Sequence, residues 1–175
     1  MLFVGTADVL NIADLSRFSG DIAVPLYTES AGSQKNLSHL DDTISCLASS
    51  TNYIWAASHN ILVRYKLDDS EPEEFPFKVG ENQVNGALIY SISVISDTEA
   101  WIGTNKGLFL FDSTTASFTP ISLYNNRISD TSSFLIPALY QDVDKTLWIG
   151  TYGAGLVRFS PTKGIMAQYR HSEVA

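Results

Sequence analysis

A four-residue phrase occurs four times along the chain at nearly equal intervals. Two copies are identical, Trp101–Thr104 and Trp148–Thr151, and two are weaker, Phe3–Thr6 and Trp55–Ser58. The first residues of successive copies are 52, 46 and 47 residues apart. Periods of about 40–50 residues are typical of propellers and solenoids, in which each repeat is one supersecondary unit. The spacing therefore predicts a repeat protein of about four units.

Each repeat is predicted to form four short strands, which we label A to D from the innermost to the outermost. Strand B is the phrase itself, and strand C is the apolar run that follows it, as in Leu156–Phe159. The predicted A strands are 44–48, 90–95 and 136–140, and the predicted D strands are 75–77, 117–119 and 166–169. Short strands joined by polar or glycine-containing turns are typical of hairpins. Since a four-stranded antiparallel meander forms a β-propeller blade, we predict an all-β fold of about four blades.

The whole chain, 1–175, is predicted to be one partial β-propeller. The predicted blades cover 1–38, 39–80, 81–122 and 123–175, and the first lacks its innermost strand because only two residues precede Phe3. Such a partial ring has open blade faces and an unpaired edge. Two copies could cover these surfaces by associating, which predicts a homodimer. The segment 126–133 is compatible with one turn of helix.

The large apolar residues of strands B and C are predicted to pack between neighbouring blades. The aromatic residues that begin the phrase are Phe3, Trp55, Trp101 and Trp148. We expect them in the core, so that Trp101→Ala and Trp148→Ala would each cost about 3–5 kcal/mol. The glycines of the identical copies, Gly103 and Gly150, predict a crowded strand position where a side chain would meet the next sheet.

The charge of the chain argues against binding to nucleic acid. The formal net charge is −8, from 11 basic and 19 acidic residues, and the basic residues are scattered singly. Such a surface repels phosphate backbones and anionic membranes. No apolar run approaches the roughly 18 residues of a membrane helix, and the N-terminus lacks the features of a signal peptide. The single cysteine, Cys46, is expected to be a small buried hydrophobic residue.

The sequence predicts no catalytic residues, no metal and no cofactor. The three histidines, His39, His59 and His171, have no zinc-ligand spacing, and Asp142-x-Asp144 lacks the later ligands of a calcium loop. Serine is not placed at a sharp strand-to-helix turn. The acidic run of 68–74 is expected on a solvated outer turn between strands C and D. An enzyme remains an alternative, since Asp41, Asp42 and Glu81 fall in predicted D–A loops where a carboxylate pair could act on a sugar.

Uncharged and aromatic residues of the turns are the candidate ligand-binding residues. The B–C turns and D–A loops of a blade lie on one face of a propeller. On this face the sequence places His59, Asn60, Asn105, Lys106, Tyr124, Asn125, Arg127 and Tyr152. Sugar recognition uses aromatic rings together with amides that donate and accept hydrogen bonds. The alternative is that these residues only form turns, for which asparagine is favoured.

The segment Leu147–Phe159 resembles the two-component regulator propeller repeat. Its form is Leu-Trp-Ile-Gly-Thr, a glycine-containing turn, Gly-Leu and an apolar–polar–aromatic ending. The segment Ala100–Asp112 is nearly as similar, Tyr53–Tyr65 replaces Gly-Thr by Ala-Ser, and Met1–Ile12 is the loosest copy. The resemblance implies a propeller in the periplasmic half of a hybrid two-component sensor. There it would be joined to further blades, a β-sandwich, a membrane helix and a histidine kinase.

The resemblance also implies a function. Regions of this kind typically recognise glycan fragments, so we expect a ligand-sensing module with an oligosaccharide ligand and signal transduction as its role. The remaining blades and the sandwich domain of the parent sensor would be its partners. The alternatives are a protein-interaction scaffold without a small ligand and a carbohydrate-active enzyme domain.

Overall fold

The computed structural model describes residues 2–5, 10–13, 44–67, 72–84, 86–123 and 135–170. The candidate ligand residues Tyr124, Asn125 and Arg127 lie outside the described residues, as does the segment 126–133. The same is true of His39, Asp41, Asp42, His171 and the side chain of Phe3. In the described ranges the chain forms strands and turns and no helix.

The described strands form three four-stranded antiparallel sheets, which confirms the predicted all-β, blade-like architecture. Blade 2 consists of β3 (Cys46–Ser49), β4 (Tyr53–Ser58), β5 (Ile61–Lys66) and β6 (Glu73–Pro76). Blade 3 consists of β9 (Ile89–Val94), β10 (Glu99–Thr104), β11 (Gly107–Asp112) and β12 (Ser117–Ile121). Blade 4 consists of β13 (Ala138–Gln141), β14 (Leu147–Thr151), β15 (Gly155–Ser160) and β16 (Gly164–Tyr169). Their strands follow the predicted order A to D.

Two smaller hairpins complete the described strands. One pairs β1 (Leu2–Gly5) with β2 (Leu10–Ala13). The other pairs β7 (Lys78–Val79) with β8 (Asn82–Gln83) and lies between blades 2 and 3 in the sequence. The sequence did not predict this second hairpin. The predicted boundaries between blades stay a prediction, since the sheets fix only the strands.

The core lies between the blades and depends on aromatic edge-to-face contacts. Trp55 of blade 2 packs against Phe111 of blade 3, with ring centroids 5.9 Å apart and planes at 81°. Trp101 of blade 3 makes the same contact with Phe159 of blade 4, at 6.1 Å and 83°. Such T-shaped pairs add about 0.5–1.5 kcal/mol to the effect of burial. In the described blades, the phrase therefore supplies the residue that packs blade 2 onto blade 3 and blade 3 onto blade 4.

The innermost strands approach each other closely at Gly103. A Cβ atom there would overlap the Ser91 hydroxyl and lie 2.6 Å from the Ile136 carbonyl oxygen. The Ser91 hydroxyl donates to that carbonyl at 2.9 Å, which ties the innermost strand of blade 3 to the start of blade 4. Glycine is thus required because the next blade occupies the space of a side chain.

Arg64 clamps blades 2 and 3 together on the side of the A–B turns. Its guanidinium donates to the Asp97 carbonyl oxygen at 2.5 Å and to the Ser113 hydroxyl at 2.6 Å, both in blade 3. It also pairs with Glu73 at 2.7 Å. Hydrogen bonds from Ser50 and then from Asn52 hold the pKa of the exposed Asp97 carboxyl below its usual range. The contact between the two blades is therefore polar at its rim and apolar inside.

Two expectations from the sequence differ from the structure. Trp148 is only partly buried, whereas Trp55 and Trp101 are in the core. The reason is that no described blade covers its side of blade 4. Glu73 and Glu74, the described carboxylates of the acidic run, lie on the strand β6 and not on a turn, because β6 begins earlier than predicted.

The thiol of Cys46 gives a direct test of packing in blade 2. Burial raises its pKa to about 11, against a smaller lowering by the hydrogen bond from Ser45. Because the thiolate is the reactive form and a free thiol has a pKa near 8.5, folding should slow its reaction with a thiol reagent at neutral pH by roughly two orders of magnitude. The rate should rise with pH beyond 9 without a plateau. The chain has one cysteine, so the labelling signal comes from Cys46 alone. Equal rates of thiol labelling with and without denaturant would contradict this packing.

Candidate functional site

The B–C turns of the three blades lie on one face together with the segments that lead into strand A. The amide of Ile89 donates to the His59 carbonyl at 2.7 Å. The amide of Ile136 donates to the Thr104 carbonyl at 3.0 Å, and that of Tyr152 to the Leu135 carbonyl at 2.9 Å. Each B–C turn is thus bonded to the start of an innermost strand. We call this common surface the turn face.

Asn105 is held in the structure by its own side chain. Its amide oxygen accepts from the Leu88 amide at 2.9 Å, and its amide nitrogen donates to the Gly86 carbonyl at 2.8 Å. Its backbone amide also donates to the Leu88 carbonyl. Both ends of the side chain are used by the backbone, so Asn105 shapes the turn face and has little capacity left for a ligand.

A small cavity opens on the turn face between blades 2 and 3. Its volume is about 160 Å³, and its lining includes Ser45, His59, Leu88, Ile89 and Tyr90. Ligand pockets usually enclose about 300–1,000 Å³, so this cavity would hold one unit of a longer ligand. These lining residues include no Lys, Arg, Asp or Glu, which favours an uncharged ligand.

Tyr90 reaches the cavity because of an irregularity in the innermost strand of blade 3. Ile89 pairs with Thr104 and Ser91 pairs with Gly103, so Tyr90 is the extra residue of a β-bulge. Bulges redirect a side chain and are common beside functional sites. The bulge therefore places an aromatic ring with a hydroxyl at the cavity.

His59 occupies the other wall in an unusual backbone conformation. Its φ angle is +46°, in the left-handed region that a non-glycine residue adopts at a cost. Its side chain is exposed, and its Nδ1 atom lies 3.5 Å from the Ser58 hydroxyl. The His59 carbonyl that accepts from the Ile89 amide fixes this turn against blade 3.

The other described candidate ligand residues lie in the B–C turns of the three blades. Asn60 is half-buried in the same turn as His59, and its carbonyl accepts from the Phe77 amide at 2.7 Å. Lys106 is exposed beside Asn105, and Tyr152 is 80% exposed in the B–C turn of blade 4. The carboxylate candidate Glu81 lies in the turn of the β7–β8 hairpin, exposed. Of the predicted ligand residues, His59 is the one that contributes to the cavity lining given above.

Sequence reasoning missed Tyr90 and Ser45 as lining residues. Both lie at the start of an innermost strand, where the chain enters from the D–A segment. In the sequence they belong to the apolar runs predicted as strand A, so their side chains were assigned to the sheet. The bulge that brings Tyr90 to the cavity has no distinct signal in the sequence.

Residues 130–153, which include β13 and β14, match the model of a family described as the two component regulator propeller. This segment of one repeat is similar to the two-component regulator propeller repeat. The resemblance inferred from the sequence is therefore confirmed for this repeat.

Solved structures of sensor regions share this architecture. The extracellular domain of the hybrid two component system BT4673 from B. thetaiotaomicron is 26% identical with a TM-score of 0.58, and the match covers 73% of this chain and 17% of that one. A second structure of the BT4673 extracellular domain, there described as a one component system, is 20% identical, with a TM-score of 0.59 over 90% and 20% of the chains. The extracellular domain of BT3049 from the same organism is 14% identical, with a TM-score of 0.57 over 76% and 17%.

These matches show that the chain is similar to a small part of larger extracellular domains. It spans about a fifth of their length or less. No curated protein matches it. Within the described ranges no helix is long and apolar enough to cross a membrane. The same residues contain no group of three or more His, Cys, Asp and Glu side chains that could hold a metal ion.

Proposed function

We propose that this chain is part of the periplasmic ligand-sensing region of a two-component sensor and helps to bind a glycan-derived ligand. The observation that carries the proposal is the 26% identity to an extracellular domain of a hybrid two component system over 73% of the chain. The family match of residues 130–153 supports the same conclusion.

The turn face supports an uncharged, hydroxyl-rich ligand. Tyr90 offers a ring and a hydroxyl, Ser45 a hydroxyl, and His59 a ring nitrogen that donates or accepts. Leu88 and Ile89 add an apolar wall, which suits the carbon-bearing face of a sugar. A ligand held between blades 2 and 3 would favour one arrangement of the receptor over another by its difference in affinity for the two.

The test is a titration of the chain with a panel of neutral oligosaccharides, followed by calorimetry and NMR. We expect Tyr90→Ala to weaken binding about tenfold, which corresponds to about 1.4 kcal/mol. Tyr140→Ala is the matched control, because this tyrosine is 63% exposed and lies in blade 4 away from the cavity. His59→Ala gives a second variant that leaves the innermost strand unchanged.

Two results would contradict the proposal. One is that no oligosaccharide perturbs the resonances of residues 88–90 at millimolar concentration. The other is that Tyr90→Ala and Tyr140→Ala bind equally well. In either case a scaffold that contacts other proteins would explain the sensor-like fold better.

A further inference from the structure

The repeat phrase departs from its usual form in blade 2, at the position of its glycine. Ala57 of blade 2 is the equivalent of Gly103 in blade 3. Its partner on the innermost strand is Cys46, whereas the partner of Gly103 is Ser91. We call Ala57 and Cys46 the blade 2 pair. Blade 2 therefore presents a methyl group and a thiol where blade 3 presents a bare backbone and a hydroxyl.

Between blades 3 and 4, the glycine and the serine hold the entering segment of the next blade close. The Ser91 hydroxyl donates to the Ile136 carbonyl oxygen at 2.9 Å. The Ile136 amide donates to the Thr104 carbonyl at 3.0 Å. A Cβ atom on Gly103 would lie 2.6 Å from that same Ile136 oxygen, well inside van der Waals contact. The entering segment can therefore take this position only where the phrase has glycine.

Between blades 2 and 3, the entering segment is bonded one residue further along the phrase. Ile89 is the equivalent of Ile136, since each lies 12 residues before the tryptophan of its own blade. Its amide donates at 2.7 Å to the carbonyl of His59, although the residue equivalent to Thr104 is Ser58. The entering segment of blade 3 is therefore displaced by one residue towards the turn face.

The blade 2 pair also differs in the group that ties the innermost strands together. A thiol is a weak hydrogen-bond donor, and the contact given for the Cys46 sulfur is with the Ser45 hydroxyl of its own blade, at 4.0 Å. Ser91 is buried, whereas Cys46 is only partly buried. Within the described residues, the hydrogen bond from Ser91 to the next blade thus has no counterpart at Cys46.

The displaced segment is the one that lines the cavity on the turn face. Leu88, Ile89 and Tyr90 form the blade 3 side of the lining, opposite Ser45 and His59 of blade 2. We propose that the blade 2 pair holds this cavity open, because its methyl group occupies the position that a glycine would leave to the entering segment. The pair thereby determines which ligands fit without belonging to the lining given above. That it selects one neutral sugar unit rests on the function proposed above.

The test gives blade 2 the glycine and the serine of blade 3. Ala57→Gly and Cys46→Ser are combined in the full chain. Hydroxyl-radical labelling with mass spectrometry then measures Tyr90, which is partly buried beside the cavity. NMR measures the coupling across the hydrogen bond from the Ile89 amide, which identifies its acceptor.

Two control variants separate this effect from the general effects of substitution. Ala56→Gly makes the same exchange at the neighbouring residue of β4, which is equally buried and belongs to the cluster on the other side of the strand. Cys46→Ala removes the thiol and adds no hydroxyl. Both controls should label Tyr90 as the starting chain does, with the exposed Tyr140 as the reference.

In the double variant, Tyr90 should lose most of its labelling, and the Ile89 amide should change its acceptor from the His59 carbonyl to the Ser58 carbonyl. The affinity for a neutral oligosaccharide that binds the starting chain should fall about tenfold, which corresponds to about 1.4 kcal/mol. If no oligosaccharide binds the starting chain, the proposed function fails, while the labelling and the hydrogen bond still decide whether the blade 2 pair holds the cavity open.

Three results would overturn the proposal. The first is that Tyr90 labelling and the Ile89 acceptor stay unchanged in the double variant, or change equally in Ala56→Gly. The second is an unchanged affinity in a double variant whose cavity has closed. The third is a double variant that does not fold, because blade 3 already supports its contact with the same glycine and serine.

Discussion

Replacing Trp101 with alanine should destabilise the protein by about 3–5 kcal/mol. The side chain is 4% exposed and lies between blades 3 and 4, against Phe159 and the apolar cluster of Leu147, Ile149 and Val157. Removing it leaves a cavity that neighbouring strands cannot close, since their backbones are fixed by sheet hydrogen bonds. Urea unfolding followed by circular dichroism measures the change in the free energy of unfolding.

Trp148→Ala is the matched control, because it removes the same residue from an identical phrase. The ring contacts Tyr169 and Arg158 of its own blade and is only partly buried. We expect a cost of about 1–2 kcal/mol, in the ordinary range for single substitutions. From the sequence we expected Trp101→Ala and Trp148→Ala to cost the same, and the partial exposure of Trp148 corrects that expectation. Equal losses in the two variants would show that the Trp148 side of blade 4 is covered in solution.

Gly103→Ala should cost about 3 kcal/mol or more, although alanine adds a single methyl group. That methyl would overlap the Ser91 hydroxyl and meet the Ile136 carbonyl oxygen and its Cγ2 atom, at 2.6 and 2.7 Å. Overpacking of this kind usually costs about 1–3 kcal/mol and more where backbone is involved. The hydrogen bond from Ser91 to Ile136 would be lost as well.

Gly150→Ala provides the comparison within the same motif. There the nearest atoms to a new Cβ are the Ala138 Cβ at 3.2 Å and the Ala138 carbonyl oxygen at 3.6 Å. A small shift relieves this contact, so the change in unfolding free energy should stay within about 1 kcal/mol. The contrast would fail if Gly150→Ala destabilised the protein as much as Gly103→Ala does.

The strands were predictable because the repeat gives four occurrences of the second and third strands and three of the first and fourth. Trp55, Trp101 and Trp148 fix the second strand, and the apolar run after each fixes the third. The short β7–β8 hairpin was missed because each of its strands has two residues, which are too few to show alternation, although Gly80 with a φ of +63° opens its turn. The burial of Trp148 was overestimated because repeat position predicts which face a residue is on, and not whether another blade covers that face.

The candidate site was predictable as a surface and only in part as a set of residues. His59, Asn105 and Tyr152 lie in the B–C turns that form the turn face, and their role as ligand residues stays a prediction. The side-chain amide of Asn105 bonds to the backbone of Leu88 and Gly86, which lie 17 and 19 residues earlier in the chain. Turn chemistry alone does not predict bonds over such a distance. The position of Tyr90 at the cavity depends on a bulge, which shifts the strand pairing by one residue and has no distinct signal in the sequence.

Sequencing the gene on both sides of this segment tests whether the chain is part of a larger propeller in a two-component sensor. A propeller blade in a two-component sensor should be followed by another Trp-x-Gly phrase at an interval like the 46 and 47 residues seen here. That repeat should carry an aromatic residue in its third strand, and a membrane helix and a histidine kinase should lie further on. A stop codon directly after Ala175, with no repeat encoded upstream, would contradict the account.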